Sequence, residues 1–182
     1  MKYQEVQNVL EIVSYLLSYP DRGWQEGLNE CLNILDDLQD EQIVQDLKQF
    51  IEKVQTQDKD RFIESYVYTF DFGKKTNMYL TYMVTGEQRE RGMELLDLKQ
   101  IYQSAGFAVT DKELPDYLPL MLEIAAQAEE QYTVQLLHRY TDNIAEIHQQ
   151  LQTMESEYAI VFTILLQVIH ELKNDNVVEG IG

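Results

Sequence analysis

Cysteine, proline and glycine are all scarce in this 182-residue chain. Cys31 stands alone, so no disulfide and no cysteine-built zinc or iron–sulfur site forms within the chain. A reducing compartment, the cytoplasm, is the natural setting. Three prolines and eight glycines are too few turn residues for a sandwich or barrel of many short strands. No run of alternating apolar and polar residues is long enough to name a strand. The most apolar segment, residues 158–169, is interrupted by Thr163 and Gln167 and is too short to span a bilayer. The opening residues, Met1-Lys2-Tyr3-Gln4-Glu5-Val6, lack a basic region followed by an apolar one, so no export signal is expected.

Positive charge is scarce as well. Fourteen Lys and Arg against 32 Asp and Glu leave a net charge of −18. Such a field repels nucleic-acid phosphates and anionic lipid surfaces, which excludes nucleic acid and stable membrane insertion, and it attracts a cationic protein or peptide. The charge is uneven: residues 1–60 carry −8, residues 61–110 are neutral and residues 111–182 carry −10.

What the chain has in abundance is helical periodicity. Val6, Val9, Leu10, Val13, Leu16 and Leu17 recur at three- and four-residue steps, and Pro20 closes that helix. Trp24, Leu28, Cys31 and Leu35 form a second stripe. Asp40 caps a third helix, and Asp58 or Asp60 starts a fourth with Phe62, Tyr66 and Phe70 on one face. Residues 71–77 read as a turn, Met78 to about Val84 as a fifth helix, and Glu87–Ser104 as a sixth, with Gly106 at a left-handed cap. Asp116 is expected to cap the next helix, leaving Pro119 in its first turn. One further helix is expected over Thr133–Leu151, and a central buried one over Glu155–Leu172. The expectation is an all-α, single-domain helical bundle of about eight helices over residues 1–173, with a flexible tail at 174–182.

Chemistry is thin. His138, His148 and His170 have no metal-ligand spacing, and no metal or cofactor is expected. There is no Gly-x-Ser-x-Gly elbow, and Cys31 sits on an apolar stripe as an unreactive thiol. Gly73-Lys74-Lys75-Thr76 resembles the end of a phosphate-binding loop, but Tyr68 occupies the position that needs glycine. Aromatic density does stand out: seven of the 19 aromatic residues fall within residues 62–82. Tyr supplies a large rigid contact surface with a polar tip, suited to a wet groove. Gly92 inside a helix costs about 1 kcal/mol against Ala, which suggests close helix approach there. Arg89 and Arg91 are candidates to pair with Glu113, Asp116 or Asp71, or with a partner's carboxylates.

Taken in order, Tyr66-Val67-Tyr68-Thr69-Phe70-Asp71, Leu80-Thr81-Tyr82, Gly86-Glu87-Gln88-Arg89-Glu90-Arg91-Gly92, Glu113-Leu114-Pro115-Asp116-Tyr117-Leu118-Pro119 and Glu155-Ser156-Glu157-Tyr158-Ala159 resemble the delta subunit of respiratory nitrate reductase. That family comprises molybdenum-cofactor assembly chaperones, within the redox-enzyme maturation chaperones. Gln88 departs from the pattern, which has a small hydroxyl residue there. The resemblance implies an all-helical protein without catalysis of its own. It implies binding of the apo catalytic (alpha) subunit, chiefly by its N-terminal peptide. That subunit is held from the membrane until the molybdenum cofactor and an iron–sulfur cluster are inserted.

A helical, cationic peptide laid into an apolar groove with an acidic rim is a familiar recognition mode. The residues expected to form that groove are Tyr66, Phe70, Asp71, Tyr79, Tyr82, Arg89, Arg91, Glu113, Leu114, Pro115, Asp116, Leu118, Pro119 and Glu123. Asp71, Asp116 and Glu123 would meet peptide cations, and the rings with Leu118 would take its apolar face. Arg89 and Arg91 would orient the carboxylates, while Phe70, Leu114 and Pro115 are equally suited to packing. A monomer and a helix-exchanged dimer are both compatible with the resemblance. The competing readings are a nucleotide hydrolase built on Lys74-Lys75-Thr76 and a permanent structural subunit of a membrane complex.

Overall fold

The structure, a computed structural model, describes residues 1–82, 88–108, 110 and 112–178, with the backbone alone at 88 and 173–178. Among the described residues there are nine α-helices and no strand: α1 (Tyr3–Leu17), α2 (Trp24–Leu35), α3 (Glu41–Thr56), α4 (Lys59–Tyr66), α5 (Gln88–Ser104), α6 (Leu118–Gln127), α7 (Glu130–Arg139), α8 (Thr141–Thr153) and α9 (Ala159–Val178). A π-helical turn, Val67–Asp71, extends α4.

Two helices organise the rest. The apolar stripe of α1 is fully enclosed, with Val9, Leu10, Val13, Leu16 and Leu17 all at zero exposure. α1 packs most intimately on α6 and also meets α2 and α9. α9 in turn receives α8, α3 and α7. The centre expected of the last helix is therefore shared: α6 is as buried, because seven of its ten residues face inward. The edge of α6 left to solvent carries Glu123 and Gln127, four residues apart.

Caps follow local chemistry. Asp40 accepts from the N–H groups of Gln42 and Ile43, and Asp58 from that of Arg61. Gly106 takes φ +91° at the end of α5, and the N–H groups of Gly106 and Phe107 return to Gln103 and Tyr102.

Three expectations of helix placement and packing fail. The segment 78–82 is not helical. Asn77 takes the Tyr79 N–H at 2.8 Å, and the chain pairs instead with the segment before α6: Leu80 N–H donates to the Asp116 carbonyl (3.0 Å) and Leu118 N–H to that of Met78 (2.9 Å). The expected helix over Thr133–Leu151 is two, broken at Tyr140, where the Thr141 hydroxyl turns back to the Leu137 carbonyl. Close approach at Gly92 is absent: a methyl group there would meet nothing within 4 Å. The expected end of the fifth helix and the first residues of the Gly86–Gly92 run lie outside the described residues.

Candidate functional site

α4 and the π-turn drive Phe62, Tyr66 and Phe70 into the interior around Tyr158, with the Phe70 and Tyr158 ring centres 4.9 Å apart. Tyr66 is 1% exposed, and its hydroxyl donates to the Leu17 carbonyl at 2.8 Å. Burial pushes the Tyr66 phenol far above its usual range, so it stays neutral. From Tyr66 a row of phenols leads to the surface. The Tyr66 and Tyr117 hydroxyls are 3.4 Å apart, and the Tyr117 and Tyr79 rings are 5.1 Å apart. The Tyr79 hydroxyl donates to Glu113 Oε1 at 2.8 Å. Burial first, then that hydrogen bond, raises the Tyr79 phenol. In the other direction the half-exposed Tyr19 sets its edge on Tyr66 at 5.7 Å. Asp71 is exposed at the end of the π-turn.

Asp116 does not cap α6; Tyr117 takes that position and Pro119 sits in the first turn. The Asp116 side chain is wholly buried and turns toward Thr81, whose N–H (3.1 Å) and hydroxyl (2.6 Å) both donate to Oδ2. Arg91 completes the cluster, with Nη2 3.6 Å from that oxygen and Nε donating to Thr81 Oγ1 at 3.0 Å. Its guanidinium lies 5.7 Å above the ring of Tyr82, which is largely exposed.

The expected groove residues thus divide. Tyr66, Phe70, Pro115, Asp116, Leu118 and Pro119 are interior and present no surface to a partner. Arg91 is turned inward to Asp116. Asp71, Tyr82, Arg89, Leu114 and Glu123 are exposed, and Tyr79 and Glu113 are half-buried.

Two cavities flank the outer edge of α6 and share Glu123 and Gln127. One, of about 210 Å³, lies against the segment after α5 and is closed by Phe107, Leu120, Ile124 and Glu113. The other, of about 290 Å³, lies against α1 and is closed by Glu11, Ser14, Tyr15 and Ser18. Among the described residues neither is lined by Lys or Arg. The first has an apolar floor of Phe107, Leu120 and Ile124, the second is mainly polar, and the three carboxylates Glu11, Glu113 and Glu123 at their edges suit a cationic, amphipathic segment. Glu11, Ser14 and Ser18 were not singled out from the sequence. They recur at three- and four-residue steps along α1 and its C-cap, a spacing hidden in the sequence because α1 also carries Gln4, Glu5, Gln7 and Asn8. A third cavity, of about 290 Å³, opens beyond Pro20 over Trp24, Phe62 and Ile63.

The loop that resembled a phosphate cradle is committed elsewhere. Thr76 is buried, and its hydroxyl donates to the Thr69 carbonyl, while Lys74 and Lys75 point to solvent. Gly73 is required there, because a Cβ would collide with Thr76 and with the Thr69 backbone. Burial pushes the Cys31 thiol up to about 12, which leaves it protonated and inert. Among the described residues no group of three or more His, Cys, Asp or Glu could hold a metal ion, and no helix is long and apolar enough to cross a membrane.

A family model described as "Nitrate reductase delta subunit" matches residues 35–163, well over half of the chain. The chain belongs to the nitrate reductase delta subunit family. It is 43% identical to the probable nitrate reductase molybdenum cofactor assembly chaperone NarJ of Bacillus subtilis, over 99% of this chain and 98% of that protein. It is 35% identical to the nitrate reductase molybdenum cofactor assembly chaperone NarJ of Escherichia coli K12, over 95% of this chain and 75% of that protein. The probable chaperone NarW of the same organism is 26% identical over 96% of this chain and 74% of its own length.

In this delta-family chain the run Glu113–Pro119 is an assembly point. Glu113 takes the Tyr79 hydroxyl, and the Pro115 carbonyl takes that of Tyr102 at 2.6 Å. Asp116 gathers Thr81 and Arg91, and Pro119 opens α6, where its carbonyl accepts the Ser14 hydroxyl at 2.8 Å. One short run thereby fixes α1, α5, α6 and the 78–82 segment around the groove.

Proposed function

We propose that this protein is a dedicated chaperone of respiratory nitrate reductase. It binds the apo catalytic (alpha) subunit in the cytoplasm, chiefly by that subunit's N-terminal peptide, and performs no catalysis. It holds the subunit from the membrane while the molybdenum cofactor and an iron–sulfur cluster are inserted, and then leaves. The observation that carries this reading is the near full-length similarity to proteins named as molybdenum cofactor assembly chaperones. The groove over α6 supports it. Its apolar floor at Phe107, Leu120 and Ile124 and its Glu11, Glu113 and Glu123 rim complement a basic, amphipathic segment, with the exposed Asp71, Tyr82 and Leu114 and the half-buried Tyr79 as further contacts.

The charge of −18 accelerates encounter with a cationic segment, and apolar contact then sets the dissociation rate. Release is part of the task, so an affinity between about micromolar and nanomolar suits it. The test is molybdenum content: nitrate reductase purified from cells lacking this chain is expected to contain catalytic subunit with little molybdenum. Fully loaded, active enzyme from those cells would contradict the proposal.

A further inference from the structure

The outer face of α5 is poorly covered by the rest of the chain. Of the α5 side chains described, only Leu98 and Tyr102 are buried, whereas Met93 and Leu96 are 62% and 61% exposed. Arg89, Met93, Leu96 and Gln100 recur at three- and four-residue steps and form one exposed ridge. Gly92, four residues before Leu96, has no side chain to shield it. Adjacent apolar side chains left to water on one ridge mark an interaction surface, where a single exposed residue would not.

We infer that two copies of this chain meet along that ridge, antiparallel, about a two-fold axis at Met93. Charge selects the occupant. A chain of −18 repels its own kind over most of its surface. α1, α2 and α8 each carry −2 and no Lys or Arg. α5 and α7 are neutral: Arg89, Arg91 and Lys99 balance Glu90, Glu94 and Asp97, and Arg139 balances Glu130. Arg139 also ties the two helices together, with Glu94 and Asp97 each at 3.4 Å. Two copies therefore meet here without like-charge repulsion, while a cationic client gains nothing from a neutral face.

The ridge is also self-complementary. Arg89 lies four residues before Met93 and Asp97 four after it, each about 6 Å along the helix axis. Antiparallel copies crossing at Met93 bring Arg89 of each opposite Asp97 of the other, with Met93 and Leu96 of both near the centre. That is the same patch on both copies, as a closed two-fold contact requires. Arg89 is exposed and has no ion-pair partner among the described residues. Beside Asp97 a polar cavity of about 500 Å³, lined also by Gln100 and Ser104, gives the incoming guanidinium room and acceptors. The patch is small, so a dimer of micromolar affinity is expected.

Sedimentation velocity of the full chain from about 1 to about 100 μM reads the assembly. At about 0.15 M salt, repulsion beyond about 8 Å is screened. The mass is expected to rise with concentration from 21.4 kDa toward twice that value. Met93→Glu/Leu96→Glu, at exposed positions and with helix content verified by circular dichroism, is expected to stay monomeric throughout. Arg89→Glu and Asp97→Arg are each expected to weaken the dimer about tenfold, and Arg89→Glu/Asp97→Arg to restore it. A chain that is monomeric at every concentration overturns the dimer. If Met93→Glu/Leu96→Glu then also abolishes binding of the catalytic subunit's N-terminal peptide, the ridge belongs to the client instead. A dimer that survives Met93→Glu/Leu96→Glu places the contact on another face and overturns this one, and absence of rescue in Arg89→Glu/Asp97→Arg overturns the two-fold pairing.

Discussion

Arg91 Nη2 stands 3.6 Å from Oδ2 of Asp116, a carboxylate with no exposed surface. Oδ1 of the same carboxylate has no hydrogen-bond partner among the described residues. Breaking a buried pair by removing one partner is costlier than never having built it, because the remaining charge is stranded. Arg91→Ala is therefore expected to cost about 3 kcal/mol, reduced from the fully buried case because Arg91 is partly exposed. Asp116→Asn introduced into that variant should recover part of the loss. A double-mutant cycle by thermal melts checks this, and strictly additive losses would count against the pair.

Tyr158 carries the opposite kind of fault. Its ring is central to the Phe50, Phe62, Tyr66 and Phe70 cluster, yet its buried hydroxyl has no hydrogen-bond partner among the described residues. Tyr158→Phe keeps the ring and removes the unsatisfied group, and it is expected to stabilise the chain by about 1 kcal/mol. Denaturant titration measures it; a loss of stability would show that the hydroxyl is satisfied in solution.

Gly92 is exposed within α5, and among the described residues nothing outside its own helix lies within 4 Å of where a Cβ would stand. Gly92→Ala should add about 0.5–1 kcal/mol from helix propensity alone. For a chain of this size that raises Tm by about 1–4 °C. A lower melting temperature would point to a packing role for the glycine.

Alkali should unfold this protein cooperatively. Burial raises the phenols of Tyr66, Tyr102, Tyr140 and Tyr158 above the ordinary value, and the carboxylate of Glu94 adds to the effect at Tyr140. The neutral form is the one the fold holds. This stability is complete below the unfolded phenol pKa of about 10 and is lost as pH climbs above it. Tyrosinate absorbance followed with circular dichroism should show these phenols ionising together with loss of helix. Their ionisation in a fully helical chain would refute it.

The sequence made the helices legible wherever an apolar stripe met a capping residue. α1, α3 and α5 are such cases, because Pro20 and Gly106 act through their own backbone geometry and Asp40 through a side chain that reaches only the next turn. It misled at residues 78–82 and at Tyr140, where the deciding partners, Asp116 and Glu94, lie 35 and 46 residues away in the chain. Asp116 and Arg91 were legible as a possible pair, but not that Thr81 would draw the carboxylate off the helix cap. Glu113 and Glu123, expected at the groove from the sequence, line a cavity beside α6, whereas Glu11, Ser14 and Ser18 became visible only when α1 was laid beside α6. Tyr66 and Phe70 read as groove residues because aromatic density alone does not distinguish the wall of a groove from the core behind it.

Calorimetric titration of the catalytic subunit's N-terminal peptide into this protein, at low and at high salt, tests most directly whether the chain grips its client by that segment. Saturable one-to-one binding is expected, weakened by salt as the Debye length falls from about 10 Å at 0.1 M to about 3 Å at 1 M, and weakened further by Glu113→Gln/Glu123→Gln. No binding at either salt concentration, with the protein folded, would contradict it.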